Sequence, residues 1–254
     1  MVLSSSDRFL GRVEAYAKYR PSYPSAAIDL LEARCGLKPG ADAVDLGSGT
    51  GILSALLLQR GARVFAIEPN REMRCFSDLA LSGEFHTESG TAENTHMPDG
   101  FFDLLVAGQS FHWFDPQKTR AEALRILKPG AWAALIWNER PKGAVPFLED
   151  YEALLRRYAP EYDTISRMRA QEDGIRQFFG QAPELATFAN EQVFDFDGLV
   201  GRVMSSSYAP MADRPEHAPL MAGLREVFDR HQQEGKVLFP YRTLVYFGQP
   251  GRPG

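Results

Sequence analysis

The chain has 254 residues, 44% of them hydrophobic and 24% charged, which is the balance of a globular protein with a sizeable core. This composition excludes disordered, collagen-like and coiled-coil proteins. Acidic residues outnumber basic ones by 33 to 28, for a formal net charge of -5, so the chain lacks the overall basic charge of nucleic-acid-binding proteins. We therefore expect no nucleic-acid partner.

Short apolar runs alternate with helical patterns over the first 140 residues, which is typical of strand–helix–strand units on a parallel sheet. Strands are predicted over 43–46, 63–68, 84–88, 102–107 and 131–137. Helices are predicted over 52–60, 70–81 and 116–127. The last of these helices ends at Lys128, Pro129 and Gly130, where a basic residue precedes two helix breakers.

The remaining chain changes character. Residues 145–179 show helical spacing without a strand signal, and strands return at 192–196 and 241–247 around a helix at 218–234. A late strand pair fits an antiparallel edge on a parallel sheet. The length allows one large domain or two small ones, and the absence of a linker favours one. We predict a single domain over 1–254, with a cap over about 1–36, a core over 37–140, a helical lid over 141–190, and final strands with substrate-side helices over 191–250.

The two cysteines fit either a reducing compartment or simple burial. Cys35 and Cys75 are too few for a disulfide framework, and neither they nor the scattered histidines show metal-ligand spacing, so we expect unreactive thiols and no metal site. The first residues are polar and serine-rich, and no stretch approaches the roughly 20 apolar residues of a membrane span. We expect a cytoplasmic protein with no membrane partner.

The most informative segment is the loop Asp45-Leu46-Gly47-Ser48-Gly49-Thr50-Gly51 between the first core strand and its helix. Its glycines let a ligand approach the backbone, and the helix start offers free N–H groups. A dinucleotide fingerprint requires glycine where Ile52 stands. Asp45 adds a negative charge that disfavours a pyrophosphate and suits a cationic ligand such as a sulfonium. An incidental glycine turn is the alternative.

This loop resembles the first motif of the class I S-adenosylmethionine-dependent methyltransferases, acidic-x-Gly-x-Gly-x-Gly, and matches it at Asp45, Gly47, Gly49 and Gly51. The resemblance spans about residues 20–137. It implies an α/β fold: a Rossmann-like, mostly parallel seven-stranded sheet with an antiparallel last strand, helices on both faces and a helical lid insertion. It also implies that the protein binds S-adenosyl-L-methionine and releases S-adenosyl-L-homocysteine.

Further cofactor residues follow from the same resemblance. Glu68 ends the second strand, where a carboxylate can accept hydrogen bonds from both ribose hydroxyls, although a solvated acid at a strand end is the alternative. The segment 90–93 is similar to the family segment that meets adenine, although Glu93 is equally compatible with a surface acid. The other candidate cofactor contacts are Tyr19, Arg20, Ser48, Met73, Ala92, Gln109 and Trp113.

The loop after the fourth strand, Gln109-Ser110-Phe111-His112-Trp113-Phe114, differs from the Asn-Pro-Pro-Tyr loops that hold nucleobase amino groups. Together with the segment 19–24, it is similar to a small-molecule subfamily that includes trans-aconitate methyltransferases. That resemblance implies that Tyr16, Tyr19 and Arg20 fold over the cofactor. We expect methyl transfer to a small-molecule acceptor, at an oxygen or a carboxylate, driven mainly by positioning.

Candidate acceptor residues come from two segments. His112 is the acid–base candidate because an unperturbed imidazole titrates near neutrality, with a packed loop histidine as the alternative. Phe114 lines the acceptor pocket or belongs to the core. Arg202 and Tyr208 are candidate contacts to a polar acceptor, while the serines at 205–207 equally suit a helix end.

Three other functions remain open. A nicotinamide-dependent oxidoreductase shares the glycine loop and the acidic strand end, and a methyltransferase acting on RNA or protein shares the fold. A binding module without turnover is the third. The arginines between Arg156 and Arg169 form either a basic patch or a solvated helix face. The acceptor's identity and the oligomeric state are not predicted.

Overall fold

Seven strands of the described chain form one sheet. The computed structural model describes residues 12–141, 143, 145–164 and 172–251. The strand order across the sheet is β3-β2-β1-β4-β5-β7-β6. The strands are β1 Asp42–Leu46, β2 Arg63–Ile67, β3 Phe85–Glu88, β4 Phe102–Gly108, β5 Leu127–Glu139, β6 Glu184–Phe194 and β7 Val237–Gly248.

The first five strands are parallel, and β7 runs antiparallel to both β5 and β6. Every residue of the central strand β1 is buried, as expected for a parallel strand covered on both faces. The predicted Rossmann-like α/β fold, with a mostly parallel sheet and an antiparallel last strand, is therefore confirmed.

Helices connect and cover these strands. Their bounds are α1 Val13–Tyr19, α2 Ser25–Arg34, α3 Ile52–Gln59, α4 Arg71–Ala80, α5 Pro116–Ile126, α6 Pro146–Tyr158, α7 Glu172–Phe179, α8 Phe196–Met204 and α9 His217–His231, with a 3₁₀ turn at Phe111–Trp113. Several starts follow N-cap chemistry: the Asn70 side chain accepts from Met73 N–H, and the Asp195 side chain accepts from Gly198 N–H.

Three buried clusters divide the interior. One sheet face packs against α2 and α3, for example through Leu31 and Leu57, and the opposite face packs against α5 and α7 through Ile126 and Phe178. The third cluster joins α6, α8 and α9 to β6 and β7 around the fully buried Tyr151. This third cluster lies at the far end of the sheet from β3 and includes α6 of the predicted lid, so we refer to it as the lid cluster and to its helices as the lid.

The strand predicted over 192–196 is wrong at both ends, because β6 spans Glu184–Phe194 and Phe196 begins α8. The segment predicted as a helical lid, 141–190, therefore contains the start of a strand. β6 is an edge strand with a single partner, and Leu185 and Val193 are exposed, so its apolar pattern is weak. Residues 1–11 of the predicted cap and 165–171 of the predicted lid, including Arg167 and Arg169, lie outside the described residues.

The N-terminal helix is fixed to the lid. Arg12 donates hydrogen bonds to the carbonyls of Met204, at 3.1 Å, and Ala209, at 2.7 Å. The Tyr19 ring lies so close to Gly201 of α8 that a Cβ there would stand 2.1 Å from its Cε2 atom. The missing Cβ of Gly201 therefore permits this helix–helix contact.

We expect Gly201→Ala to destabilise the protein by about 1 kcal/mol, because overpacking by about 1–3 kcal/mol outweighs the gain in helix propensity of about 1 kcal/mol. Urea unfolding measures the free energy, and hydrogen exchange in α1 should accelerate. Gly223→Ala in α9 is the matched control, since its added Cβ would meet chiefly the terminal methyl groups of Leu154, which can rotate away. Equal effects of the two substitutions would contradict the assigned contact.

Candidate functional site

The glycine loop lies at the carboxyl end of β1, between β2 and β4. Gly47 and Gly49 have φ values of 64° and 58°, a left-handed conformation that favours glycine. At Gly47 a Cβ would stand 2.7 Å from the Ser110 Cβ atom, so this glycine is required by packing. At Gly49 the nearest atoms would be Met73 Sδ at 3.6 Å and Tyr16 Cε1 at 3.9 Å. The backbone at Gly49 is thus approachable, with Tyr16 and Met73 beside it.

Glu68 follows β2 and holds the glycine loop through backbone hydrogen bonds. One carboxylate oxygen accepts a hydrogen bond from Gly49 N–H at 2.9 Å, and the other accepts from Asn70 N–H at 2.8 Å. Burial raises the pKa of Glu68, while the two backbone hydrogen bonds oppose that rise. The side chain is buried, so the alternative of a solvated strand-end acid is wrong.

Asp45 is buried at the start of the same loop and has one unused oxygen. Its Oδ2 atom accepts from Ser54 Oγ at 2.7 Å, whereas Oδ1 and Ser48 Oγ have no hydrogen-bond partner in the described structure. Burial raises the pKa of Asp45 to about 7, against the hydrogen bond from Ser54 and with a contribution from nearby Glu68. A cationic ligand would satisfy this acid and return it to its ionised form.

A cavity of about 630 Å³ opens in front of these groups, where the carboxyl ends of β1, β4 and β5 meet. Its lining includes Tyr16, Arg20, Asp45, Ser48 and Gln109 among the predicted site residues. Gln109 adopts a left-handed φ of 61° and donates through Nε2 to the Asn138 carbonyl at 3.2 Å. These five predicted residues are therefore brought together.

The N-terminal cap contributes unequally to this cavity. The Arg20 guanidinium lies 4.8 Å from the Tyr16 ring centroid and donates to the Ser205 carbonyl at 2.8 Å. Tyr19 packs against Gly201 and the lid cluster instead, outside the cavity lining. The cap thus presents Tyr16 and Arg20 to the glycine loop and uses Tyr19 to hold the lid.

The opposite wall comes from β5 and the lid. Arg202 is buried and donates from Nε to Tyr241 Oη at 2.9 Å, and from Nη1 to Ser206 Oγ at 3.1 Å. Ser205 Oγ donates to the Arg202 carbonyl at 2.7 Å, so this serine satisfies a carbonyl in the last turn of α8 as well as accepting from Arg20. Tyr208 is buried near this wall, with its ring 5.2 Å from that of Tyr162, but does not line the cavity.

The loop after β4 is packed rather than open. His112 is buried and its ring lies 4.7 Å from that of Trp113, which contacts the lid cluster. A Cβ at Gly47 would stand 3.2 Å from Phe114 Cζ, which places this ring against the glycine loop. None of His112, Trp113 and Phe114 lines the 630 Å³ cavity.

The predicted adenine segment lies beside this loop. Glu93 accepts a hydrogen bond from Asp115 N–H at 2.9 Å, and Ala92 is buried in the cluster that contains Phe111. Met73 is buried next to Gly49. None of Ala92, Glu93 and Met73 lines the cavity, although Met73 lies beside the glycine loop.

Several polar residues of the cavity and its surroundings were not predicted from the sequence. Arg140 follows β5 directly, and the rule that ligands bind beyond the carboxyl ends of parallel strands could have identified it. Tyr241 and Asn138 lie in strands that read as apolar. Tyr151 has the spacing of a core residue on α6, so no sequence signal separates its hydroxyl from the rest of the core.

The described residues contain neither a membrane-spanning helix nor a cluster of metal-ligating side chains. No helix is both long and apolar enough to cross a membrane in the residues described. Within the same ranges, no three side chains of the His, Cys, Asp and Glu types are grouped to hold a metal ion. Cys35 and Cys75 are free thiols, and burial raises the pKa of Cys35 to about 12.

Comparison with known proteins agrees with the geometry. The methyltransferase domain family matches residues 44–135. An uncharacterised methyltransferase of Mycobacterium tuberculosis is 38% identical over 132 residues, which are 52% of each chain. A methyltransferase-like protein of Schizosaccharomyces pombe is 28% identical over 241 residues, 92% of each chain. The chain thus spans about half the length of the first of these relatives.

Solved structures share the fold. A protein of Anaeromyxobacter dehalogenans that is described as a type II methyltransferase has a TM-score of 0.64 and 23% identity, over 91% of this chain and 98% of that one. A phosphoethanolamine methyltransferase of Haemonchus contortus, solved with S-adenosylhomocysteine, has a TM-score of 0.57 and 12% identity over 98% and 61%. The similarity to trans-aconitate methyltransferases stays a prediction. Residues 44–135, which include the glycine loop, thus match the methyltransferase domain family, and the chain shares the fold of solved methyltransferases.

Proposed function

We propose that the protein transfers a methyl group from S-adenosyl-L-methionine to an oxygen or carboxylate of a small-molecule acceptor. The observation that carries this proposal is the single cavity shared by the glycine loop and the arginine-bearing lid wall. One wall offers the unused oxygen of Asp45, which suits a cation, and the other offers Arg202. The remaining product is S-adenosyl-L-homocysteine.

The residues around the loop fit the cofactor. When bound, S-adenosylmethionine supplies an activated methyl group on a sulfonium that leaves as a neutral thioether. Asp45 and Ser48 provide unsatisfied buried acceptors for its charged and polar end, and Glu68 provides a carboxylate for hydroxyl donors. We assign the adenine side to Ala92 and Glu93, with Met73, Gln109 and Trp113 as surrounding contacts.

Tyr16 and Arg20 supply the cover. Tyr16 lies over Gly49, and Arg20 joins that ring to the lid through its hydrogen bond to the Ser205 carbonyl. Such a cover would exclude water and orient both reactants, which supplies most of the rate enhancement in a displacement with a good leaving group.

The lining favours an ionised acceptor. An ionised oxygen needs no general base, whereas a neutral alcohol or amine does. His112 does not line the cavity, and its role as a base is required only for a neutral acceptor. The net charge of -5 and the cavity of about 630 Å³ support a small molecule, without nucleic acid or membrane, as the partner in the cytoplasm.

Calorimetric titration with S-adenosylhomocysteine tests the cofactor assignment. We expect the protein to bind it, and we expect Glu68→Gln to weaken binding at least about tenfold, because an amide cannot accept from two N–H groups through both of its terminal atoms. Glu84→Gln is the matched control, since this acid is exposed and precedes β3 away from the loop. Its affinity should equal that of the wild-type protein.

Failure of the wild-type protein to bind S-adenosylhomocysteine would reject the proposed function. Quenching of nicotinamide fluorescence on mixing with the protein would instead support the oxidoreductase alternative. Release of S-adenosylhomocysteine with a panel of small carboxylic acids would then identify the acceptor.

The pKa of Asp45 predicts a pH-dependent cofactor affinity. A cationic ligand favours the ionised carboxylate, and this acid has a pKa raised to about 7. We therefore expect the affinity for S-adenosylmethionine to rise by up to about tenfold per pH unit between pH 5.5 and about 7, and to level off above. Titrations across this range should show a weaker, nearly constant affinity for Asp45→Asn.

Protein stability gives an independent control for the same group. Because the folded pKa lies above the usual value of 3.8, the protonated acid stabilises the fold below about pH 4, and this contribution is lost as the pH rises to about 7. The free energy of unfolding of Asp45→Asn relative to wild type should therefore increase by roughly 1.4 kcal/mol per pH unit between pH 5 and pH 7. A constant difference would contradict the raised pKa.

A further inference from the structure

Arg202 is a buried cation whose hydrogen-bond partners are neutral. The side chain is 3% exposed, and no carboxylate of the described chain lies within salt-bridge distance of it. It donates to Tyr241 Oη and Ser206 Oγ, and its guanidinium lies 5.6 Å from the Phe239 ring centroid. A buried charge is costly unless it is paired, so this position lacks the anion that would balance it.

The other arginines of the same wall are balanced. Arg140 Nε lies 3.1 Å from Glu152, Arg156 Nε lies 3.5 Å from Asp163, and Arg242 lies 3.6 Å from Glu139. All three arginines line the cavity, as does Arg202. Each of the three thus has a carboxylate partner, whereas Arg202, the least exposed of the four, has none in the described chain.

Tyrosine side chains lie beside both Arg202 and Arg140, and Tyr241 is the one that accepts from Arg202. Tyr162 Oη accepts from Arg140 Nη2 at 2.7 Å, and Tyr151 lies with its ring centroid 5.6 Å from the same guanidinium. The Tyr151 hydroxyl is buried and has no hydrogen-bond partner in the described structure. Burial raises the pKa of Tyr151 and Tyr208 adds to the rise, although Arg202 and Arg140 oppose it, so the phenol stays a donor.

We propose that Arg202, together with Arg140 and its surrounding tyrosines, forms a subsite that binds an anionic group, a carboxylate or a phosphate, of the methyl acceptor. Arginine suits this role because its planar fork of N–H donors matches the oxygens of either group. The subsite lies across the cavity lining from the glycine loop. The inference rests on the proposed function in naming the occupant as the acceptor, while anion binding itself does not depend on it.

Matched probes test the charge requirement without any mutation. Benzoate, benzamide and phenyl phosphate are titrated into the wild-type protein by ligand-observed NMR, with and without saturating S-adenosylhomocysteine. We expect at least one of the two anions to bind about tenfold more tightly than benzamide, which has nearly the shape of benzoate but no charge. Raising the salt concentration should weaken the binding of the anions and leave the affinity for benzamide unchanged.

Variants locate the binding group. Arg202→Gln should weaken anion binding at least about tenfold, and Arg202→Lys should recover part of the loss because it restores the charge without the fork. Arg242→Gln is the matched control, since Arg242 lines the same cavity but is exposed and paired with Glu139. Its anion affinity should stay within about twofold of wild type. Each variant should bind S-adenosylhomocysteine with wild-type affinity.

The outcomes separate this inference from the proposed function. Equal binding of benzamide and both anions, or an Arg202→Gln protein that folds and keeps its anion affinity, would overturn the subsite. If Arg202→Gln does not fold, the wild-type comparison of probes at two salt concentrations decides. Selective binding of phenyl phosphate would assign the subsite to phosphate, and selective binding of benzoate to carboxylate. Anion binding without binding of S-adenosylhomocysteine would reject the proposed function and keep the subsite.

Discussion

The geometry of the site depends on the buried carboxylate of Glu68. It accepts hydrogen bonds from the backbone of Gly49 in one loop and Asn70 in the next, and so connects the ends of β1 and β2. Charge-assisted hydrogen bonds inside a protein are strong, and an unpaired carboxylate there would be costly. The hydrogen bond to Glu68 therefore holds the left-handed turn at Gly49 in place.

From this loop, α1 carries the connection to the lid. Tyr16 lies on Gly49 at one end of the contact, and Arg20 and Tyr19 hold α8 at the other through the Ser205 carbonyl and Gly201. A helix of seven residues thus touches both the glycine loop, through Tyr16, and the wall that carries Arg202, through Tyr19. Because one element spans both, displacement of α1 would disturb both halves of the cavity together.

Local chemistry explains which features the sequence could predict. The glycine loop and the parallel strands follow from short-range patterns, so the order of strands and helices from β1 to β5 and the positions of Asp45 and Glu68 at strand ends were predicted correctly. β6 was misplaced because an edge strand alternates exposed and half-buried residues, and its signal is weak. Arg140 and Tyr151 were missed because their roles depend on contacts between β5, α6 and α8, which no local pattern records.

The two walls of the cavity bury opposite charges, and they accommodate them differently. Asp45 is buried with one oxygen that has no hydrogen-bond partner, and burial raises its pKa to about 7. It can therefore avoid the cost of a buried charge by binding a proton when no cation is near. An arginine cannot lose its charge in this way, because its guanidinium stays protonated at any physiological pH. Arg202 therefore remains charged, and only neutral hydroxyls and aromatic rings stabilise it from within the described chain. Asp45 can thus be protonated and neutral when the cavity is empty, whereas Arg202 stays charged. Such a cavity is suited to bind a positively charged group beside Asp45 and a negatively charged group beside Arg202.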